Sequence, residues 1–262
     1  MTVIKLIQLN TWMGRLSRAT LKFVQEQNPD ILCLQEVFKS DAPVAYPEDQ
    51  MFDLFGTLQN SGLFAEAYFS PAVRIDIAGS TAEFGNAIFS KFPLSDQKTL
   101  FTDGTEVVSH FTTHLNEGNN PARNAQLVTL ELPTGERLAL VNQHFHWVKN
   151  PLGDENSVPK MQLVAREARD FAGSLPLIIA GDFNHSPESQ ALQVFDGWLT
   201  NAITQTDAQT TLSGLKFPAQ EVQVVCDHVL YNDQVMVKQV EVSQELISDH
   251  YPVIFEFELG NN

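Results

Sequence analysis

The sequence predicts an α/β protein in which two β-sheets pack face to face and helices cover their outer sides. Short β-branched and aliphatic runs recur along all 262 residues, and several alternate apolar with polar residues, the period of a strand with one buried face. Only three stretches carry helical spacing. The composition, 43% hydrophobic and 18% charged, belongs to a globular chain with a large core. Repeats, low-complexity segments and long linkers are absent from the sequence, so one domain over residues 1–262 is the simplest division.

The elements follow in order. VIKLIQLN (3–10) and DILCLQEV (30–37) read as strands, with a helix over Ser17–Gln27 between them. That helix has a Ser start, apolar Leu21 and Val24, and a stop at Asn28-Pro29. Residues 39–82 read as a long loop with short elements, a common place for function. GNAIFSKF (85–92), EVVSHFTT (106–113), AQLVTLEL (125–132) and RLALVNQHFHW (137–147) read as further strands. In the last of these Asn142, His144 and His146 share one face, with Val141, Gln143 and Phe145 on the other. A loop over 149–158 leads to a helix over 159–171 that places Met161, Val164, Ala165 and Ala168 on one side and stops at Gly173. LPLIIAGDF (175–183) is a strand. A shorter helix over 187–195 follows, with Ser186 as its N-cap and Pro187 in its first turn. EVQVVCDHVL (221–230), VMVKQVEV (235–242) and YPVIFEFEL (251–259) complete the strands.

The balance of 16 basic against 32 acidic residues gives a net charge of −16. That makes a weak case for a nucleic-acid partner, because polyanion binding draws its affinity from Lys and Arg neutralising phosphates. A local basic rim or a bound cation could still oppose the global charge. No apolar run approaches the roughly 20 residues that span a bilayer. Residues 1–10 lack the features of a signal peptide, so a cytoplasmic location is expected, although a mature secreted form would read the same. Cys33 and Cys226 sit in apolar runs without CxxC spacing and read as buried thiols rather than a disulfide, ligand pair or nucleophile.

Polar residues gather at strand ends, namely Asn10, Gln35-Glu36, His144 and Asp182 with Asn184, while Asp227-His228 interrupts a strand and Ser248-Asp249-His250 opens the last one. Singly, each has a bland explanation as a turn former, cap or surface histidine. Together, Asn10, Glu36, Asp182 and Asp249 offer hard oxygen ligands that suit Mg²⁺ or Mn²⁺ rather than zinc. Asp182 or a metal could activate a water. His144 and His250 could donate to a phosphoryl group, and Asp227 could pair with His250 and favour its charged form.

The ordered segments LNTW, LQEV, GNAIFSKFPL, VNQHF, GDFN, CDHVLYN and SDHYPV resemble the motifs of the endonuclease/exonuclease/phosphatase superfamily. Its members include pancreatic-type deoxyribonucleases, abasic-site endonucleases, poly(A) deadenylases, neutral sphingomyelinases and inositol polyphosphate 5-phosphatases. The resemblance runs from Asn10 to His250. GDFN and SDH are short alone, but all seven segments in this order are highly specific. The resemblance implies a four-layer α/β sandwich with two mainly antiparallel sheets, and a Mg²⁺-dependent hydrolase acting on a phosphate ester.

By the same resemblance Glu36 is the principal metal ligand, with Asn10 supporting the site and Asp249 contacting metal or water. Asp182 orients or deprotonates the attacking water, and Asn184 holds the phosphate or that water. His144 and His250 bind phosphate, with Asp227 orienting His250. Arg123 is either a phosphate contact or a surface arginine, and Asn86 matches a family position whose role varies. The segment around His144 departs from the family's NTHL-type strand, so its neighbours differ while the histidine stays. His146 could approach substrate or serve the strand edge. His110, His114, His185 and His228 carry no functional expectation. The substrate stays open among phosphodiesters and phosphomonoesters. An abasic-type DNA or RNA nuclease and a catalytically silent binding module are the alternatives. Phe38, Tyr46, Phe52, Phe55 and Trp147 either line a pocket or pack back onto the sheets.

Overall fold

Strands whose two faces are both covered lose polar alternation and become continuous apolar runs, and the central strands of this protein have that character. The computed structural model describes residues 2–40, 53–77, 80–109, 122–216 and 223–260. In chain order its strands are β1 (Ile4–Asn10), β2 (Ile31–Ser40), β3 (Glu66–Ile77), β4 (Ser80–Ser90), β5 (Leu94–Asp103), β6 (Val108–Ser109) and β7 (Arg123–Glu131). They continue with β8 (Arg137–His144), β9 (Leu177–Asp182), β10 (Thr200–Asn201), β11 (Asp227–Tyr231), β12 (Val235–Val242) and β13 (Val253–Leu259). The α-helices are α1 (Ser17–Gln27), α2 (Leu54–Gln59) and α3 (Ser157–Ala172).

One sheet has seven strands in the order β12-β13-β1-β2-β4-β3-β6, and the other has six in the order β10-β11-β9-β8-β7-β5. Most neighbours are antiparallel. Of the three parallel pairs among the described residues, β3–β6 joins a two-residue edge strand, and β1–β2 and β8–β9 are each bridged by a helix, α1 and α3, one per sheet.

Three apolar clusters define the layers. Leu6, Ile31, Ile88, Leu140, Ile178, Val229 and Phe255 meet between the sheets. Ile7, Leu9, Leu32 and Leu34 point the other way and pack on Phe23 and Val24 of α1 and Leu54 and Phe55 of α2. Val141 and Ile179 pack on Met161, Val164 and Ala168 of α3. The result is helix, sheet, sheet, helix. Each fully buried Leu, Ile or Phe contributes about 1.5–3 kcal/mol over exposure, so the three clusters hold the fold.

Several expectations need correction. The helix expected over 187–195 reduces to a single 3-10 turn, Leu192–Phe195. Ser189, not Ser186, accepts from Leu192 N (3.2 Å), while the Ser186 hydroxyl is buried without a partner among the described residues. The stretch 39–82 is not chiefly loop: it holds α2 and the twelve-residue β3. Of EVVSHFTT, Val108–Ser109 forms the short β6, and residues 110–113 lie outside the described residues. Asp227 begins β11 rather than interrupting a strand, and Asp249 and His250 precede β13. The helix after the 149–158 loop starts two residues early, at Ser157. His110, His114, Tyr46 and Phe52 lie outside the described residues. Phe38 and Phe55 pack into the core, and Trp147 is exposed. Both cysteines are free and buried.

Candidate active site

The inner faces of the strands change character along their length. On β1 the inward sequence is Ile4, Leu6, Gln8, Asn10; on β8 it is Leu138, Leu140, Asn142, His144; on β9 it is Ile178, Ala180, Asp182. The apolar ends form the core and the polar ends meet at one edge of the sandwich.

Register places three of these residues in one row. His144 pairs with Asp182 across β8–β9, and Asp182 pairs with Asp227 across β9–β11. Adjacent strands lie about 4.8 Å apart, so the three side chains stand side by side on one face. From the opposite sheet Asn10 Nδ2 donates to Asp182 Oδ2 (3.0 Å), while its Oδ1 accepts from Trp12 N (3.0 Å). Asp182 Oδ1 accepts from Asn184 N (2.8 Å). His144 Nε2 lies 3.5 Å and His250 Nε2 3.9 Å from Asp182 Oδ2. His250 Nδ1 lies 2.8 Å from Asp227 Oδ2.

Glu36 enters through a bulge. Between the Leu34–Ala87 and Val37–Gly85 pairs, Gln35 and Glu36 together face Asn86. Glu36 adopts φ 56°, in the left-handed region that disfavours side-chain-bearing residues. On the other side of β4, β3 bulges between Pro71 and Val73. A Cβ on Gly85 would strike the Ser70 carbonyl. The Gly85-Asn86 pair is therefore where both neighbours of β4 kink, and Glu36 there feels the charges of Asp249, Arg123, Lys216 and His250. Thr11 Oγ1 contacts the Gln35 and Glu36 carbonyls (3.0 and 2.9 Å) and braces the bulge.

The charges divide sharply. Burial, reinforced by Asp249, raises the Glu36 carboxyl above its usual range, with Arg123, Lys216 and His250 pulling the other way. Burial also pushes Asp182 up to about 7, against the Coulombic pull of His250. His144 is driven well below the ordinary histidine range by burial and by nearby Arg123. Burial opposes charge on His250 as well, but Asp227 and Asp182 outweigh it and raise the imidazolium well above that range. His250 in turn holds Asp227 low despite its burial. At neutral pH the site thus holds one neutral and one cationic imidazole around Asp182.

Arg123 is buried; its Nε donates to Phe145 O (3.3 Å), and its Nη1 has no partner among the described residues. Glu36, Asp182 and Asp103 are the acidic groups that support its charge, against desolvation. Asn184, at φ 54°, donates from Nδ2 to the same Phe145 carbonyl (2.9 Å). Asn86 commits its amide to Asn124 (2.8 Å to the carbonyl), tying the sheets together. Asp249 lies 3.4 Å from Lys216 Nζ, at the site edge.

His146 leaves the row. β8 ends at His144, and the His146 ring, 2% exposed, stacks near Phe145 and His185 and reaches Ser157 Oγ (3.4 Å) and Asp154 (3.6 Å). It does not share the face of Asn142 and His144, because the strand stops before it.

Residues that sequence reasoning missed include Gln8, whose Nε2 donates to Asp227 Oδ1 (2.9 Å), Thr11, Lys216 and Cys226. Cys226 Sγ is 3.5 Å from Asp227 Oδ2 and 4.0 Å from His250 Nδ1. Potential ligand atoms of Asp182, Cys226 and His250 lie within 4.8 Å of one another. Burial pushes that thiol up to about 12, so it stays protonated and soft, a poor partner for a hard cation. Glu36, Asp249 and the Asn10 amide oxygen fit Mg²⁺ or Mn²⁺ better. Among the described residues the Glu36 carboxylate takes no hydrogen bond, and its like-charged neighbour disfavours its ionised form until a cation stands near both.

The model of the Endonuclease/Exonuclease/phosphatase family matches residues 7–250. Among solved structures the chain is similar to an endonuclease/exonuclease/phosphatase from Bacteroides vulgatus, at 19% identity and TM-score 0.73, covering 99% of this chain and 100% of that one. It is similar to a Bacteroides thetaiotaomicron mannosyl-6-phosphatase, at 17% identity and TM-score 0.70, covering 98% and 100%. The human nocturnin catalytic domain with bound sulfate matches at 20% identity and TM-score 0.70, over 98% and 94%. No curated protein sequence matches the chain.

Proposed function

The chain belongs to the endonuclease/exonuclease/phosphatase family, whose members are divalent-metal-dependent hydrolases of phosphate esters, and from that membership we propose that it is a Mg²⁺-dependent phosphoesterase in which water attacks phosphorus in line. The observation that carries this reading is the setting of Asp182, a carboxylate raised to about 7 between a neutral His144 and a cationic His250.

In this reading Asp182 accepts the proton of the attacking water as the new P–O bond forms and the bond to the leaving oxygen breaks. Asn10 and the backbone N–H of Asn184 fix the carboxylate by hydrogen bonds to its two oxygens. His250 donates from Nε2 to a phosphoryl oxygen, and His144 contacts another. The unpartnered Nη1 of Arg123 supplies a buried donor for the phosphate. Glu36, Asp249 and Asn10 would hold a divalent cation, which would supply neutralisation of phosphate charge. Asn86 acts through Asn124 and the β4 kink rather than by touching substrate.

A small phosphodiester or phosphomonoester suits a chain of net charge −16 better than a nucleic acid does. The mannosyl-6-phosphatase of the same fold acts on a sugar phosphate, which supports the same choice. The chain retains every residue that a silent member would be expected to lose.

The test is hydrolysis by purified protein with Mg²⁺, Mn²⁺ or EDTA, against an aryl phosphodiester, sugar and inositol phosphates, sphingomyelin, abasic duplex and single strands. Metal-dependent turnover fastest on a small ester supports the proposal. Preference for a nucleic acid overturns the substrate choice, and metal-independent turnover overturns the mechanism.

A further inference from the structure

Gln8 lies on β1 one pleat before Asn10, and its side chain is fully buried between the sheets. Its Nε2 donates to Gln35 Oε1 and to Asp227 Oδ1, each at 2.9 Å. These acceptors fix the amide orientation, because the flipped amide would set an oxygen against a carboxylate and an amide oxygen with no proton between them. Its own Oε1 is buried without a partner among the described residues. A hydrophobe in that place would avoid burying an unpaired carbonyl, so the donor is kept at some cost in stability.

Behind Gln8 runs a directional chain of amides. Gln35 Nε2 donates to Asn142 Oδ1 (2.7 Å), Asn142 Nδ2 to Gln126 Oε1 (2.9 Å), and Gln126 Nε2 to the Tyr68 carbonyl (2.8 Å). Gln8 and Gln35 belong to the seven-stranded sheet, Asn142 and Gln126 to the six-stranded one. Gln8 heads this chain and spans the sandwich to reach Asp227 on β11.

We propose that Gln8 is a positioning residue for the Asp227–His250 pair, with Gln35, Asn142 and Gln126 fixing its amide. The carboxylate torsion of an aspartate is soft. Held at Oδ1 by Gln8, Asp227 presents Oδ2 to His250 Nδ1 at 2.8 Å, and the Nε2 of that ring lies 3.9 Å from Asp182 Oδ2. The Thr211 hydroxyl and Cys226 Sγ (3.5 Å from Oδ2) also bear on the carboxylate, but loss of the Gln8 donor leaves Oδ1 without its 2.9 Å amide partner and lets the carboxylate turn, and the ring with it. A misplacement of about 1 Å can cost about 10²-fold in rate. The kinetic consequence rests on the phosphoesterase reading; the geometric one does not.

The test uses Gln8→Met, which keeps the volume, and Gln8→Asn, which keeps an amide but withdraws it by one methylene. Ile4→Val, a core change in the same strand, is the control. Steady-state kinetics with an aryl phosphodiester and Mg²⁺ are combined with thermal melting and ¹H NMR of the His250 Nδ1 proton. Both Gln8 variants are expected to lose about ten- to a hundredfold in kcat with KM within about twofold, and to move the Nδ1 proton upfield. Ile4→Val lowers the melting temperature and leaves both readouts alone. Wild-type kcat together with an unmoved Nδ1 proton in whichever Gln8 variant folds would overturn the proposal. Absence of turnover in the wild type would overturn the phosphoesterase reading, and the proton signal alone would then decide the role of Gln8.

Discussion

His250 Nδ1 lies 2.8 Å from Oδ2 of Asp227, and that contact sets the charge of the site. It holds Asp227 ionised and the imidazole cationic although both groups are buried. The cation then works on Asp182, lowering a carboxyl that burial still leaves at about 7.

Activity should follow a bell in pH. Asp182 must be deprotonated to accept a proton, so kcat/KM should rise as pH increases through about 7, and through a lower value once a cation is bound. His250 must be protonated to donate, so activity should fall as pH rises through its elevated value. The profile at saturating Mg²⁺ checks this. Absence of an acid limb from the profile at saturating Mg²⁺ would remove Asp182 as the base.

Asp182→Asn should abolish turnover, by about 10³-fold or more, without unfolding the protein. The change deletes a charge that burial, and secondarily Asp227, disfavours more than His250 supports it. The melting temperature should therefore hold or rise, by about 2–4 °C for each kcal/mol of relief. Melting and turnover of the same preparation separate the two effects.

Glu36 tests whether backbone strain sits at the metal site. Its φ of 56° favours glycine, so Glu36→Gly should be more stable than Glu36→Ala by about 1 kcal/mol. Both variants should lose the stabilisation that Mg²⁺ gives the wild type in a thermal shift. Equal melting of the two variants would deny the strain, and a retained Mg²⁺ shift would deny Glu36 as a ligand.

Arg123→Met should weaken inhibition by inorganic phosphate or sulfate by roughly 10- to 100-fold, the worth of a hydrogen bond to a charged group. An unchanged inhibition constant would make Arg123 a structural residue that only holds the Phe145 carbonyl.

The sequence exposes the parts of this architecture that local chemistry controls. Asn28, left-handed at φ 47°, ends α1 at the expected residue. The apolar runs of β1, β8 and β9 end in Asn10, His144 and Asp182, which the row brings together. Other features depend on partners far along the chain. β3 carries Pro71 inside a strand, tolerated because β3 bulges just there, and so it reads as loop. β5 is mostly partly exposed and polar, lacking a buried stripe. Glu36 reads as a strand residue, since nothing local announces a left-handed glutamate. Gln8 reads as an ordinary polar position in a strand, because its acceptor Asp227 is 219 residues away. His146 reads as sharing the face of His144 because strand alternation in the sequence runs on past His144, where β8 ends.

In the proposed mechanism water, with Asp182 as its base, attacks phosphorus in a metal-loaded site. Single-turnover hydrolysis of an aryl phosphodiester in H₂¹⁸O with Mg²⁺ tests it most directly. Attack by water on phosphorus puts one ¹⁸O in the phosphate product and none in the alcohol, with no product from Asp182→Asn or with EDTA. Label in the alcohol, or undiminished turnover by Asp182→Asn, would contradict it.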